Sequence, residues 1–207
     1  RTYYYNNFIS SSTVKKYLNG NILQTESKYY YENPNHNMLT KTSTNFSDGT
    51  SQETFYQYAH EKNNQTLINA NMIGVPLQTE EKKNGKTISK VETKYDKLYP
   101  SELYPGSIVS YSLDNGSPKT EMVFDVYGYY KNLEQYTTKE GIPVTLVWGY
   151  NYTKLIAKIE GIDSSHAYST VLVNTISKSN LDIDEASEQI LLTALDNLRK
   201  NSNFSNT

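Results

Sequence analysis

Apolar and polar positions alternate in short runs along most of the chain. Thr87 to Tyr95 places Val91, Thr93 and Tyr95 on one face of an extended segment. Glu26 to Tyr31 rises to a tyrosine cluster, and Thr54 to Tyr58 repeats the pattern. Ile108 to Leu113 is expected to pair with Thr120 to Val126. Ile142 to Gly149 is the most apolar run and reads as the most buried strand, with Lys154 to Ile159 as its neighbour.

Turn signals separate these runs. Asn19-Gly20, Asp48-Gly49, Asn84-Gly85 and Asn115-Gly116 suit the positive φ angles of tight hairpin turns. Softer turns are read at Asn33-Pro34-Asn35, Lys62-Asn63-Asn64, Tyr99 to Gly106 and Gly128 to Asn132. A turn every 10 to 18 residues or so is the spacing of an antiparallel meander, not of βαβ units.

Near residue 163 the period changes. Ser164 or Ser165 can cap a helix carrying Ala167, Val171, Leu172 and Ile176. Asp182-Ile183-Asp184-Glu185 offers a second cap, before an apolar set of Ala186, Ile190, Leu191, Ala194, Leu195 and Leu198. The predicted fold is mainly β, an antiparallel meander over 1–162 of roughly ten strands. A helical hairpin over 163–200 and a flexible tail over 201–207 follow. Trp148 is expected to be buried beneath the helical hairpin, because the second helix has a wide apolar face to cover.

Composition narrows the chemistry. The 207 residues include 20 Tyr but only 5 Phe and 1 Trp, with 36% hydrophobic residues. Such a chain suits a sheet with wet faces carrying aromatic ladders better than a thick core. Disorder is the competing reading of so polar a chain, and the regular strand and turn signals argue against it. A net charge of −2 gives no electrostatic footprint for nucleic acid. The absence of cysteine excludes disulfides, thiolate metal sites and thiol catalysis. No apolar run is long enough for a membrane-spanning helix. The chain opens at Arg1 without a signal peptide, which reads as a mature product or a piece of something larger.

Candidate site residues are few. His36, His60 and His166 are the only histidines. A metal ligand or general base is the sharp reading, and three solvent-exposed polar residues is the expected one. Ser164-Ser165-His166 is no triad by adjacency, because triads are built in space. Asp182 to Glu185 lacks a calcium loop and reads as helix capping. Asp125, Glu134 and Glu160 are acids that can still converge in space. Five Asn-X-Ser/Thr sequons, such as Asn45-Phe46-Ser47, arise readily in an Asn- and Thr-rich chain. Tyr3-Tyr4-Tyr5, Tyr29-Tyr30-Tyr31, Tyr56/Tyr58 and Tyr127/Tyr129/Tyr130 are either cross-strand ladders or a glycan-stacking face. No catalytic, cofactor-binding or metal residue is assigned, and no cofactor is expected.

The block Gly141-Ile142-Pro143-Val144-Thr145-Leu146-Val147-Trp148-Gly149-Tyr150-Asn151, followed by Ile156 to Gly161, resembles the Rhs or YD-repeat proteins. The form in question is that of large surface-associated proteins of Bacteroidetes. Phe124-Asp125 through Tyr136 looks like a degenerate repeat, with Phe124 in the tyrosine place and Lys131 in a glycine place. Asn71 to Leu77 is similar to the region before such repeats. The resemblance covers roughly residues 70 to 200, and this chain is too short to close the shell that such repeats form. It implies a non-enzymatic scaffold segment of a secreted or cell-surface bacterial protein. Its partners would be further repeats or a cargo protein, and no nucleic acid. A carbohydrate-binding module using exposed Tyr and Trp148 is the alternative.

Overall fold

The computed structural model describes residues 8–99, 102–201 and 204. Eleven antiparallel strands form one sheet, and their spatial order is their order in the sequence. They are β1 (Ser11–Leu18), β2 (Asn21–Tyr30), β3 (Lys41–Asn45), β4 (Ser51–Gln57), β5 (Gln78–Lys83) and β6 (Lys86–Tyr99). Then follow β7 (Glu102–Tyr111), β8 (Pro118–Tyr127), β9 (Leu133–Thr138), β10 (Pro143–Gly149) and β11 (Lys154–Glu160). The helices are α1 (Gln65–Asn69), α2 (Ser164–Ala167), α3 (Thr170–Asn180) and α4 (Glu185–Arg199). The chain condenses into two compact units. One holds β1–β5, α1, β6 as far as Tyr95, β7 from Ile108 and the first two residues of β8. The other holds the remainder of β6, β7 and β8, with β9–β11 and α2–α4.

The four expected turns are of two kinds. Asn19-Gly20 and Asn84-Gly85 take positive φ at both residues, at 47° and 78° and at 49° and 76°, as a two-residue type I′ turn requires. At Asp48-Gly49 and Asn115-Gly116 only the glycine does, and the loops are longer. There the Gly49 amide donates to Phe46 O and the Gly116 amide to Ser112 O. Of the stretch expected to turn, Tyr99 ends β6 and residues 102–106 belong to β7, while residues 100 and 101 lie outside the described residues. Pro105 sits inside β7, and its carbonyl accepts the Tyr127 hydroxyl at 2.8 Å.

Within the first unit, β4 and β5 pair directly through Gln57 and Gln78. Residues 58–77 leave the sheet between them and carry α1, an element the sequence pattern does not announce. Asn64 caps α1 by accepting the Leu67 amide at 3.1 Å. Tyr58, Ala59, Leu67 and Leu77 of this excursion are buried, and together they form most of the apolar interior of the unit. At about 1.5–3 kcal/mol for each large apolar side chain, their burial fixes the excursion to the sheet.

Within the second unit, Val147 and Ile159 of the sheet pack with Ala167, Leu172, Leu198 and Phe204. The first helix differs from expectation. Asp163 rather than a serine caps α2, accepting the amides of Ser165 and His166. The chain extends at Tyr168, and Ser169 caps a new helix by accepting the Leu172 amide. Asp184 caps α4 by accepting the Ser187 amide while its own amide donates to Ser187 Oγ, and Arg199 lies in the last turn. On α4 the buried stripe is Leu191, Ala194 and Leu198, while Ala186 and Ile190 are exposed.

Trp148 does not lie under the helices. Val147 joins the helix-covered cluster, so the alternation of the strand turns Trp148 to the opposite face. There it is half-buried and its indole N–H donates to Leu133 O at 2.7 Å. The helices take the Val147 side because Gly149, two residues on, leaves room there for α3. Ser179 Oγ and Ile156 occupy the space a side chain at Gly149 would need.

Candidate functional site

The segment from Glu32 to Leu39 folds over the sheet beside the 58–77 excursion. Asn33 starts a turn by accepting the Asn35 amide, and His36 follows it inward. His36 is buried, against the expectation of an exposed histidine. Its Nδ1 accepts the Met38 amide at 3.2 Å, so the ring proton sits on Nε2 and points to Glu61 Oε1 at 2.9 Å. Glu61 also accepts Asn33 Nδ2 at 2.5 Å and the Tyr58 amide at 3.0 Å. The edge of the imidazole meets the Tyr58 ring, and the Tyr58 hydroxyl donates to Leu39 O. Burial raises the Glu61 pKa, but the bonds from Asn33, Tyr58 and His36 outweigh it and hold the carboxyl below its ordinary value. Both imidazole nitrogens are thus engaged in hydrogen bonds within the protein. Glu61 forms part of the wall of an open cleft of about 450 Å³ with Glu32, Asn33, Thr40, Lys41 and Phe55.

Lys62, next along the excursion, bonds Gln78 Oε1 at 3.1 Å and Glu92 Oε1 at 2.9 Å. Glu92 takes a short bond from the Tyr111 hydroxyl, which pushes the Tyr111 pKa up to about 12. Registers across β2 to β6 set Tyr30 opposite Lys41, Lys41 opposite Phe55, Phe55 opposite Glu80, and Glu80 opposite Lys90. Lys41 lies 5.0 Å from the centroid of Phe55, and Lys90 lies 4.7 Å from that of Tyr111. Lys41 also pairs with Glu53 at 2.6 Å. One row of rings interleaved with charges therefore runs from β2 to β7. Each contact of this kind is worth about 0.2–1 kcal/mol.

The remaining candidates are spread apart. His166 is exposed, and its Nδ1 meets Asp163 at 2.8 Å. Ser165 Oγ also approaches Nδ1, at 3.2 Å, and donates to Asp163 at 2.6 Å. A triad needs serine and carboxylate on opposite ring nitrogens, so this is a cap and not a nucleophile. Bonds from Ser165 and His166 hold the Asp163 pKa far below the ordinary value. Asp182 accepts the Tyr150 hydroxyl at 2.5 Å, and Asp184 caps α4. Asp125 sits at a β-bulge and accepts from Gln135 and Thr137. Gln135 in turn accepts Ser164 N and Oγ, which ties α2 to the sheet. Glu134 lies against Gly128, where burial raises its pKa. It alternates with Gln135 on β9, so it is on the other face from Asp125. Glu160 pairs with Lys158 at 2.6 Å. The three acids do not converge. Among the described residues, no three His, Asp or Glu side chains gather as a metal site.

The tyrosines divide into two groups. Tyr58 is core, Tyr30 belongs to the cross-strand row, Tyr31 stacks on Phe8, and Tyr127 packs on Tyr104. Tyr3-Tyr4-Tyr5 lies outside the described residues. Tyr130 instead stacks on Tyr152 with centroids 4.1 Å apart, and Tyr129 meets Tyr130 edge-on at 5.2 Å. Tyr129 and Tyr130 are well exposed. Tyr150, Asn151 and Tyr152 all have positive φ, a conformation that costs non-glycine residues free energy. Asn132 Nδ2 on Tyr152 O, Asn180 Oδ1 on the Asn151 amide and Ser179 Oγ on the Tyr150 amide hold that turn. Trp148, the other ring expected on such a surface, is half-buried, with its indole N–H donated to Leu133 O. Sequence reasoning missed Tyr152, because its contact with Tyr130 depends on the left-handed turn. No family model matches the chain, and no curated protein is similar to it.

Proposed function

We propose that this chain is a non-enzymatic structural and interaction module, a YD-repeat-like scaffold segment of a secreted or cell-surface bacterial protein. The observation that carries the reading is the row of rings interleaved with charges from Tyr30 to Tyr111. It stabilises a sheet whose faces stay wet, as a display surface needs and a catalytic cleft does not. The roles of the polar groups support it: His36, Asp163 and Asp184 spend their hydrogen bonds on holding loops and helix ends, and Asp125 on joining β8 to β9. The test is substitution at the cleft beside Glu61. His36→Gln and Glu61→Gln should lower stability, with no metal bound stoichiometrically by calorimetry in the parent. Loss of a measurable hydrolytic turnover in either variant, or a stoichiometric metal in the parent, would make the scaffold reading wrong.

A second reading, carbohydrate binding, is favoured by the exposed Tyr129–Tyr130–Tyr152 cluster. Aromatic rings stack on the C–H faces of sugars, and a turn held in a costly conformation keeps these rings in place. Glycan-array binding that disappears in Tyr130→Ala, with the fold intact, would support it. Binding to no glycan would remove it.

A further inference from the structure

We propose that the β1–β2 hairpin is a docking arm whose free edge takes an extended, acidic polypeptide strand. This rests on the interaction-module reading and names the partner it implies. β2 pairs with β3 only from Glu26 to Tyr30, so Asn21 to Thr25 pair with β1 alone. At about 3.3 Å per residue those five residues carry the arm about 16 Å past the last pair with β3. All of β1 is exposed, and so are the residues of β2 up to Gln24. Tyr17 faces Ile22 on one side, while Val14, Leu18 and Leu23 share the other. Tyr17 is 75% exposed and Leu18 60%. A two-stranded hairpin with apolar groups open on both faces is marginal in water by itself.

The register states what the arm lacks. The Tyr29 amide donates to Ser10 O, and the pairing then directs the backbone groups of Ser12, Val14, Lys16 and Leu18 to β2. Those of Ser11, Thr13, Lys15 and Tyr17 point outward, where the strand order places no neighbour among the described residues. A row of alternate amides and carbonyls is complementary to one thing, another extended backbone. Charge narrows the partner. Lys15 and Lys16 project to opposite faces, and no acid occurs from Ser11 to Thr25. Two copies of the arm would set lysine against lysine, which is how edge strands discourage self-pairing. A strand with adjacent acidic residues would set a carboxylate beside each lysine and lay its apolar residues on both faces.

The probe is the blocked heptapeptide Thr-Val-Glu-Glu-Val-Thr-Val, with its Lys-Lys counterpart, added to the whole chain. Residue-resolved hydrogen exchange should show the amides of Ser11, Thr13, Lys15 and Tyr17 unprotected alone and protected with the acidic peptide. The Lys-Lys peptide should bind about tenfold more weakly. Lys15→Glu with Lys16→Glu should reverse that preference. Thr13→Pro removes an outward donor and no bond to β2, so it should abolish binding while the β2 amides keep their protection. The proposal is overturned if neither peptide protects those four amides, or if both do so equally. Protection that rises with protein concentration without peptide overturns it too, since the partner would then be a second copy. Each of these failures leaves the ladders intact, and the scaffold reading still stands or falls on His36 and Glu61.

Discussion

Gly149→Ala adds one carbon at the closest approach of α3 to the sheet. The new Cβ would collide with Ser179 Oγ and lie 2.8 and 2.9 Å from Ile156 Cγ2 and Cδ1. Ser179 cannot swing aside cheaply. It is fully buried, donates to Ile176 O at 2.7 Å and accepts the Tyr150 amide at 3.2 Å. Overpacking of this kind costs about 1–3 kcal/mol, and loss of one of those bonds adds about 0.5–1.5 kcal/mol. The reduced freedom of the unfolded chain returns about 0.4–1 kcal/mol. A net loss of about 0.5–4 kcal/mol follows. Urea unfolding followed by tyrosine and tryptophan fluorescence should show the midpoint fall with little change in slope. Ser179→Gly should relieve the collision, so the double variant should be more stable than the sum of the two single losses predicts. Gly20→Ala is the comparison: the space around it is open, and it costs only the left-handed backbone, about 1–2 kcal/mol. A Gly149→Ala midpoint equal to the parent's, or purely additive losses with Ser179→Gly, would refute the close approach of α3.

Three further outcomes are expected. Glu61 has a depressed pKa, so its stabilisation is present above the unfolded carboxyl value and lost as pH falls through the folded one. Acid unfolding monitored by circular dichroism should therefore be less steep in Glu61→Gln, which should also lose about 1.5–3 kcal/mol at pH 7. Glu134 has a raised pKa, so its contribution is favourable at low pH and lost as pH rises through the folded value. Glu134→Gln should raise the thermal midpoint at pH 7 and give no gain near pH 3. A double-mutant cycle on Lys41→Ala and Phe55→Ala should return a coupling of about 0.5–1 kcal/mol. A coupling of zero would remove the ring–charge row as a source of stability.

The meander was legible because its signals are local. Asn19-Gly20 fixes a turn through the φ preferences of two residues, and the apolar run from Ile142 to Gly149 marks the strand that meets β11. The cap at Asp184 was legible for the same reason, since its partner Ser187 is three residues away. The His36–Glu61 pair was not, because 25 residues separate its members and nothing in either neighbourhood requires the other. α1 has only five residues and is held by the burial of Leu67, not by helix propensity, so the sequence there shows only the turn at Lys62-Asn63-Asn64. Trp148 was misplaced although the strand's period already separates it from Val147. The helices follow the face with the glycine, and the largest ring sits on the other.

A sheet in which each strand bonds only to its neighbours in the chain has a kinetic character of its own. Every pairing can form before any distant contact, so folding can start at whichever hairpin closes first and spread outward like a zipper. The free energy becomes close to a sum over adjacent pairs, and the outer strands can open and close while the middle stays intact. The join between β4 and β5 is the exception, because residues 58–77 must collapse before Gln57 can meet Gln78. That one closure sets where the zipper pauses, and hydrogen exchange should find the strands on either side of it opening as separate cooperative groups.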